Sequence, residues 1–223
     1  MNKRSVILCS AALAVVWTVS IAAAPKSGAG ARSWQFDVRF HDAQRLVLRL
    51  PGEREDTTFW YVLYEITNNT GRDRQFFPSI QLVTDTLEVT EAGAYIHPVV
   101  YDVIAGRHKL EFPFFAPPSK VLGPVLQGRE NARASAAVFR DFDPKASRFV
   151  IYASGFAGDV KRVYNPSFDR SQKEPVEPAY RTESNRRFFT LRRTLAISYD
   201  LPGDPETRGQ ARPVRRTREW VMR

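Results

Sequence analysis

Three histidines, His41, His97 and His108, are the residues of this chain best suited to metal or acid–base chemistry. Histidine metal sites use short spacings that put two imidazoles on one face of an element. None of these three stands in an H-E-x-x-H, H-x-H or H-x3-H spacing. His97, Asp102 and His108 could approach one another around a single helix, but eleven residues separate the two histidines. That is roughly 16 Å of helical rise, too far for one ion along a straight helix. They read as solvated helix-end residues, and neither a metal nor a cofactor is expected.

Other reactive groups are equally sparse. Cys9 is the only cysteine and falls in an apolar leader. Beyond the leader there is then no disulfide framework, thiol nucleophile or thiolate metal ligand. No Gly-x-Ser-x-Gly elbow or phosphate-cradling glycine loop is present. Asp141 and Asp143 precede Pro144, where a calcium loop would need more oxygen ligands, so they read as turn formers. Asn68-Asn69-Thr70 matches a glycosylation sequon but reads as a turn. Glu65 interrupts an apolar row, and Arg193 does the same in another. A buried charge is costly unless paired, so the two either pair with each other across the core or lie with one at the rim; the plainer reading has Glu65 facing solvent.

Two groups of residues could contact a partner. Phe112, Phe114 and Phe115 lie among prolines and form either a plug for one end of the fold or an exposed apolar patch. Arg186, Arg187, Arg192, Arg215, Arg216 and Arg218 belong to a basic C-terminal section, which has eleven arginines against five acids from Arg181 onward. The whole chain carries a formal charge of +9. Such a section is either a solvated surface or a face for an anionic polymer or lipid.

The elements that would position these residues are mainly strands. Aromatics make up 12% of the chain, and Val, Ile, Thr, Phe and Tyr recur in short runs, which favours β structure. Residues 57–67 are apolar on both faces, with Trp60, Val62, Tyr64 and Ile66 in one row and Phe59, Tyr61 and Leu63 in the other. This predicts a central strand covered on both sides. Asn68-Asn69-Thr70-Gly71 predicts a turn, and residues 57–85 together a β-hairpin. Val99, Val100, Val103 and Ile104 recur at helical spacing behind Pro98, which predicts one short inserted helix near 98–109. Residues 110–118 hold too many prolines for a central strand. Further strands are expected at 34–40, 46–50, 120–126, 132–140, 148–154, 189–199 and 212–222, with 155–183 irregular. The final strand suits a sheet edge, where its arginines discourage pairing with other chains.

Residues 1–24 have a basic start, an apolar run and small residues at the end, the pattern of a secretory signal peptide or an uncleaved N-terminal membrane anchor. Residues 25–32 read as a flexible stub and 33–223 as a single β-sandwich domain. Pro25 hinders a cut after Ala24. In either case the positive-inside rule places the domain outside the cytoplasm, periplasmic, secreted or anchored.

The run Phe59-Trp-Tyr-Val-Leu-Tyr-Glu-Ile-Thr-Asn-Asn-Thr-Gly71, the strand end within residues 143–158 and the closing Arg-Glu-Trp-Val-Met-Arg resemble uncharacterised exported bacterial proteins with an immunoglobulin-like β-sandwich. The resemblance implies a mainly β, two-sheet antiparallel sandwich and transfers no catalytic residue. Residues 97–118 depart from a minimal sandwich. The expected function is that of a non-catalytic extracytoplasmic binding or scaffold domain. The alternative is a polyanion or envelope-surface binder using the arginines named above. The partner would be another envelope protein or an anionic surface, not a specific nucleic acid, and the membrane would be met only through an uncleaved leader.

Overall fold

A strand with two apolar faces needs cover on both, and the computed structural model, which describes residues 34–172 and 185–223, supplies it. The chain is mainly β with antiparallel sheets and few helices. In the first sheet, β1 (Asp37–Phe40) and β2 (Gln44–Arg49) follow one another along one edge of β3 (Asp56–Asn68). On the other edge of β3 runs β8 (Gly128–Arg140). The second sheet contains β5 (Ser79–Thr84), β6 (Val89–Glu91), β9 (Arg148–Ser154), β11 (Phe188–Asp200) and β12 (Val214–Met222), in the order β6-β5-β9-β11-β12. Strand β10 (Val160–Tyr164) pairs with the first part of β11, and β9 with its second part. A small ladder joins β4 (Arg74–Phe76) to β7 (Gly123–Val125).

The inner faces of the two sheets share one core. Trp60, Val62, Tyr64 and Ile66 of β3 meet Leu82, Phe149, Ile151, Leu195, Ile197 and Tyr199 from the second sheet. Trp60 stacks on Phe142, with ring centroids 5.3 Å apart, and its indole N–H donates to Asp141 Oδ1 at 2.7 Å. Asp143 accepts the Lys145 N–H, the turn role expected of it.

The other row of β3 has separate cover. Helix α1 (Pro98–Arg107) starts at Pro98, and the His97 Nδ1 accepts the Val99 N–H at 3.2 Å, so His97 is the helix cap. Val100 and Ile104 are buried against Phe59, Tyr61 and Leu63. Phe112 completes this roof and is buried, and Phe115 is partly buried beside it, whereas Phe114 is exposed. The aromatic-proline segment at 110–118 is therefore neither an end plug nor one exposed patch, but part of a cover formed with α1. It closes the second face of the first sheet, a role set by the second apolar row of β3.

Several expectations need correction. Residues 57–85 are not a hairpin: β3 pairs with β1, β2 and β8, while β5 pairs with β6 and β9. The turn at 68–71 carries the chain from one sheet to the other. There Gly71 has φ +87°, the left-handed region that glycine tolerates. Residues 120–126 split into a short helix, α2 (Pro118–Val121), and β7. Strand β10 lies inside the stretch read as irregular, whose residues 173–183 fall outside the described residues. The segments read as leader (1–24) and stub (25–32) also lie outside them. Among the described residues no helix is long and apolar enough to cross a membrane.

Glu65 and Arg193 do not pair. Glu65 lies at the rim on the roofed face, with its carboxylate 3.5 Å from Arg39, its cross-strand neighbour. Arg193 is on the inner face of β11, 3.1 Å from the Asp159 carboxylate and with its guanidinium 5.0 Å from the Trp220 ring centre. Each charge finds an opposite charge near its own sheet.

Candidate binding face

The two sheets differ in their outer faces. That of the first sheet is roofed by α1 and Phe112. No described helix or strand packs over that of the second. Alternation and register place Arg192, Thr194, Ala196, Ser198 and Asp200 of β11 there, beside Arg148, Val150, Tyr152 and Ser154 of β9. Ser79 and Gln81 of β5 and Glu219, Val221 and Arg223 at the end of β12 extend the same face. Thr194, Ala196 and Val221 form a buried floor, and Arg148, Arg192, Arg216 and Arg223 stand exposed around it.

The arginines expected to form one surface point in three directions. Arg215 and Arg218 lie on the inner side of the edge strand β12 and reach the first sheet. Arg215 forms an ion pair with Asp42 at 3.2 Å, and Arg218 donates to the Val38 carbonyl at 2.8 Å and lies over the Phe40 ring. They tie the two sheets together along one edge. Arg216 faces outward and shares Asp200 with Arg148, at 3.1 and 3.0 Å. Arg186 and Arg187 are at the β10–β11 end, where Arg187 lies over Phe188 and their carbonyls accept from Asn165. Arg192 of the six lines a concavity of this face, and its neighbour there is Arg223, which was not among the arginines expected to bind. The alternation 219-221-223 along the last strand was the signal that could have found it.

Arg192 and Arg223 are directly opposed. Arg192 N–H donates to the Arg223 main-chain oxygen at 2.6 Å and Arg223 N–H to the Arg192 carbonyl at 3.0 Å. Such a pair projects both side chains to the same side of the ladder, and like charges there repel. None of the ion pairs among the described residues involves either guanidinium. Arg223 is nevertheless held in place: its guanidinium carbon is 4.1 Å from the Tyr152 ring centre, and Nη1 donates to Gln81 Oε1 at 3.2 Å.

A second polar cluster lies under the C-terminal end of α1. Tyr61 Oη donates to Gln44 Oε1 at 2.9 Å, receives Arg107 Nη1 at 3.3 Å and sits 2.9 Å from His108 Nε2. With the hydroxyl proton given to Gln44, His108 Nε2 must carry the hydrogen. His41, from the β1–β2 link, reaches the same place, 3.4 Å from Glu111 and edge-on to Phe112. His97, Asp102 and His108 do not converge, and among the described residues no group of three His, Cys, Asp or Glu side chains could hold a metal ion. His41 and His108 are far apart in sequence, and no spacing rule would have joined them.

Burial holds the His108 imidazole below its ordinary value; the Glu111 carboxylate opposes this, and Arg107 and His41 reinforce it. Because the folded-state value lies below the unfolded one, the unfolded chain binds more protons in the window beneath about 6.5. Stability from this site is complete above that window and is lost as pH falls through it. Comparison of urea unfolding at pH 7.5 and 5.5 is expected to show a smaller loss for His108→Gln than for the parent chain. An equal loss in both would remove His108 as the cause.

No family model matches this chain, no curated protein matches it, and no solved structure matches it.

Proposed function

We propose that this chain is a non-catalytic extracytoplasmic binding or scaffold domain, built as an immunoglobulin-like sandwich and working through the open face of its larger sheet. The strand order supports the sandwich. The β1/β2-β3-β8 sheet corresponds to the A-B-E side of that architecture and the β6-β5-β9-β11 sheet to its C′-C-F-G side. The insert holding α1 takes the place of a D strand, and β12 is added beyond G. The extracytoplasmic assignment rests on the leader pattern of residues 1–24.

The observation that carries the functional reading is the contrast between the two outer faces. One is closed by the chain's own insert, and the other presents Arg192 and Arg223 opposite each other with no carboxylate among the described residues paired to either. Cations facing each other across a ladder repel, whereas an anionic partner would neutralise them. This favours the polyanion or envelope-surface reading over a scaffold with no ligand preference.

Chromatography on an immobilised sulfated polysaccharide tests it. The full chain is expected to be retained at low salt and released with a log-linear salt dependence. Replacing Arg192 and Arg223 by glutamine should lower the salt slope by about one per arginine, and Arg54→Gln, in the β2–β3 turn, should leave the slope nearer that of the parent. Passage of the parent chain through the column at low salt would overturn the reading.

A further inference from the structure

We propose that the concavity between Arg192 and Arg223 is a site for one doubly charged tetrahedral oxyanion, phosphate or sulfate, either free or esterified. This rests on the open-face reading above and names the group that face would take.

The charge pattern of the sheet points to this spot. Arg148 and Arg216 share Asp200, Arg193 has Asp159 and Arg215 has Asp42. Among the described residues Arg192 and Arg223 have no such carboxylate, yet the ladder fixes their backbones side by side and both line one concavity. Two guanidinium side chains lining one concavity call for two negative charges, which a phosphate or sulfate dianion brings and a single carboxylate does not. Guanidinium forks match such oxyanions with paired N–H···O bonds.

The site is also preorganised. Stacking on Tyr152 and the bond to Gln81 hold one fork in place, so little side-chain freedom remains to be lost when a ligand arrives. The cavity measures about 120 Å³, room for a tetrahedral oxyanion and a water or two on the scale of about 30 Å³ per water. Two of the hydroxyl protons nearby are already used: Thr194 donates to the Arg192 carbonyl at 3.0 Å and Ser154 to the Ser79 carbonyl at 3.2 Å. The charged donors left for a ligand are the guanidinium N–H groups, with the Ser79 and Tyr152 hydroxyls and the Gln81 amide beside them, and the two cations favour an anion over a neutral sugar.

The test is a titration of the isotopically labelled full chain with inorganic phosphate, inorganic sulfate, phenyl phosphate and chloride at matched ionic strength, followed by NMR. Saturable shifts are expected at the Tyr152, Gln81 and Thr194 amides with phosphate and sulfate but not with chloride. Arg192→Gln and Arg223→Gln should each weaken binding by about tenfold or more. Arg223→Lys, which keeps the charge and loses the fork, should also weaken it, while Arg54→Gln should not. Phenyl phosphate binding as well as phosphate would identify an esterified group as the ligand; binding of the inorganic ions alone would identify a free anion. Shifts that merely follow ionic strength, or undiminished affinity in Arg192→Gln, would overturn the site. If the polysaccharide column still retains the parent chain, that failure falls on this site alone and leaves the open-face reading in place.

Discussion

Replacing Asp159 by alanine is expected to lower the unfolding free energy by about 3–5 kcal/mol, the range found when one partner of a buried ion pair is removed. The Arg193 side chain is only 4% exposed and projects into the core beside Trp220. Its Nε has no hydrogen-bond partner among the described residues, so its charge depends heavily on the Asp159 contact. Without that carboxylate the guanidinium remains in a poorly solvated place. The reverse change is expected to behave differently. Arg193→Met removes the charge, preserves much of the side-chain length against Trp220 and leaves Asp159 at 22% exposure, where water reaches it. Its effect should stay within about 1 kcal/mol, since apolar replacement of a buried ion is often neutral. The double variant should recover most of the stability lost in Asp159→Ala. Denaturant unfolding of the four proteins reads this directly, and an Asp159→Ala chain within about 1 kcal/mol of the parent would show that Arg193 is already hydrated.

The same arginine illustrates how far the sequence could be read. Alternation placed Arg193 on the apolar face of its strand, and the structure agrees. Its partner was out of reach, because Asp159 sits in the link between β9 and β10 and nothing local marks it. The two apolar rows of β3 were legible for the same reason that α1 was: period and capping are local signals. The joint content of those two signals was stronger than either alone. A strand with two apolar rows requires a second cover, and a valine-rich insert is a ready supplier. The false hairpin has the opposite lesson. Turn residues at 68–71 say that the chain reverses, not which sheet receives it. That choice depends on contacts such as Asn68 with Val125, 57 residues away. The arginines were all equivalent as letters. Long-range carboxylates and carbonyls divided them into sheet-to-sheet ties, a shared ion pair and the unneutralised pair at Arg192 and Arg223.

Asn68 is the residue on which the crossing between the sheets turns, and Asn68→Asp is expected to destabilise the chain by about 3 kcal/mol at neutral pH. The side chain is fully buried. Its amide nitrogen donates to the carbonyls of Arg72 at 3.0 Å and Val125 at 2.7 Å. Its oxygen accepts the Thr70 N–H at 3.1 Å and the Thr70 hydroxyl at 2.8 Å. One amide thus joins the end of β3, the turn and the β4–β7 ladder. Its burial also explains why the sequon acts here as a turn: a glycan could not be attached without opening the core. The introduced carboxylate would keep the shape but face two carbonyl oxygens with no proton to offer. Its folded-state pKa would rise above the unfolded value of about 3.9, so the native state would bind more protons in that interval. The penalty would therefore be full above the raised value and recede as pH falls through it, when the protonated group regains one donor. Asn68→Ala should be destabilised as well but without this pH dependence. Unfolding measured from pH 7 down to about 4.5 separates the two variants. Parallel pH profiles for both would mean that the two carbonyls do not confront the introduced group, and that the amide bonds of Asn68 do not hold the crossing.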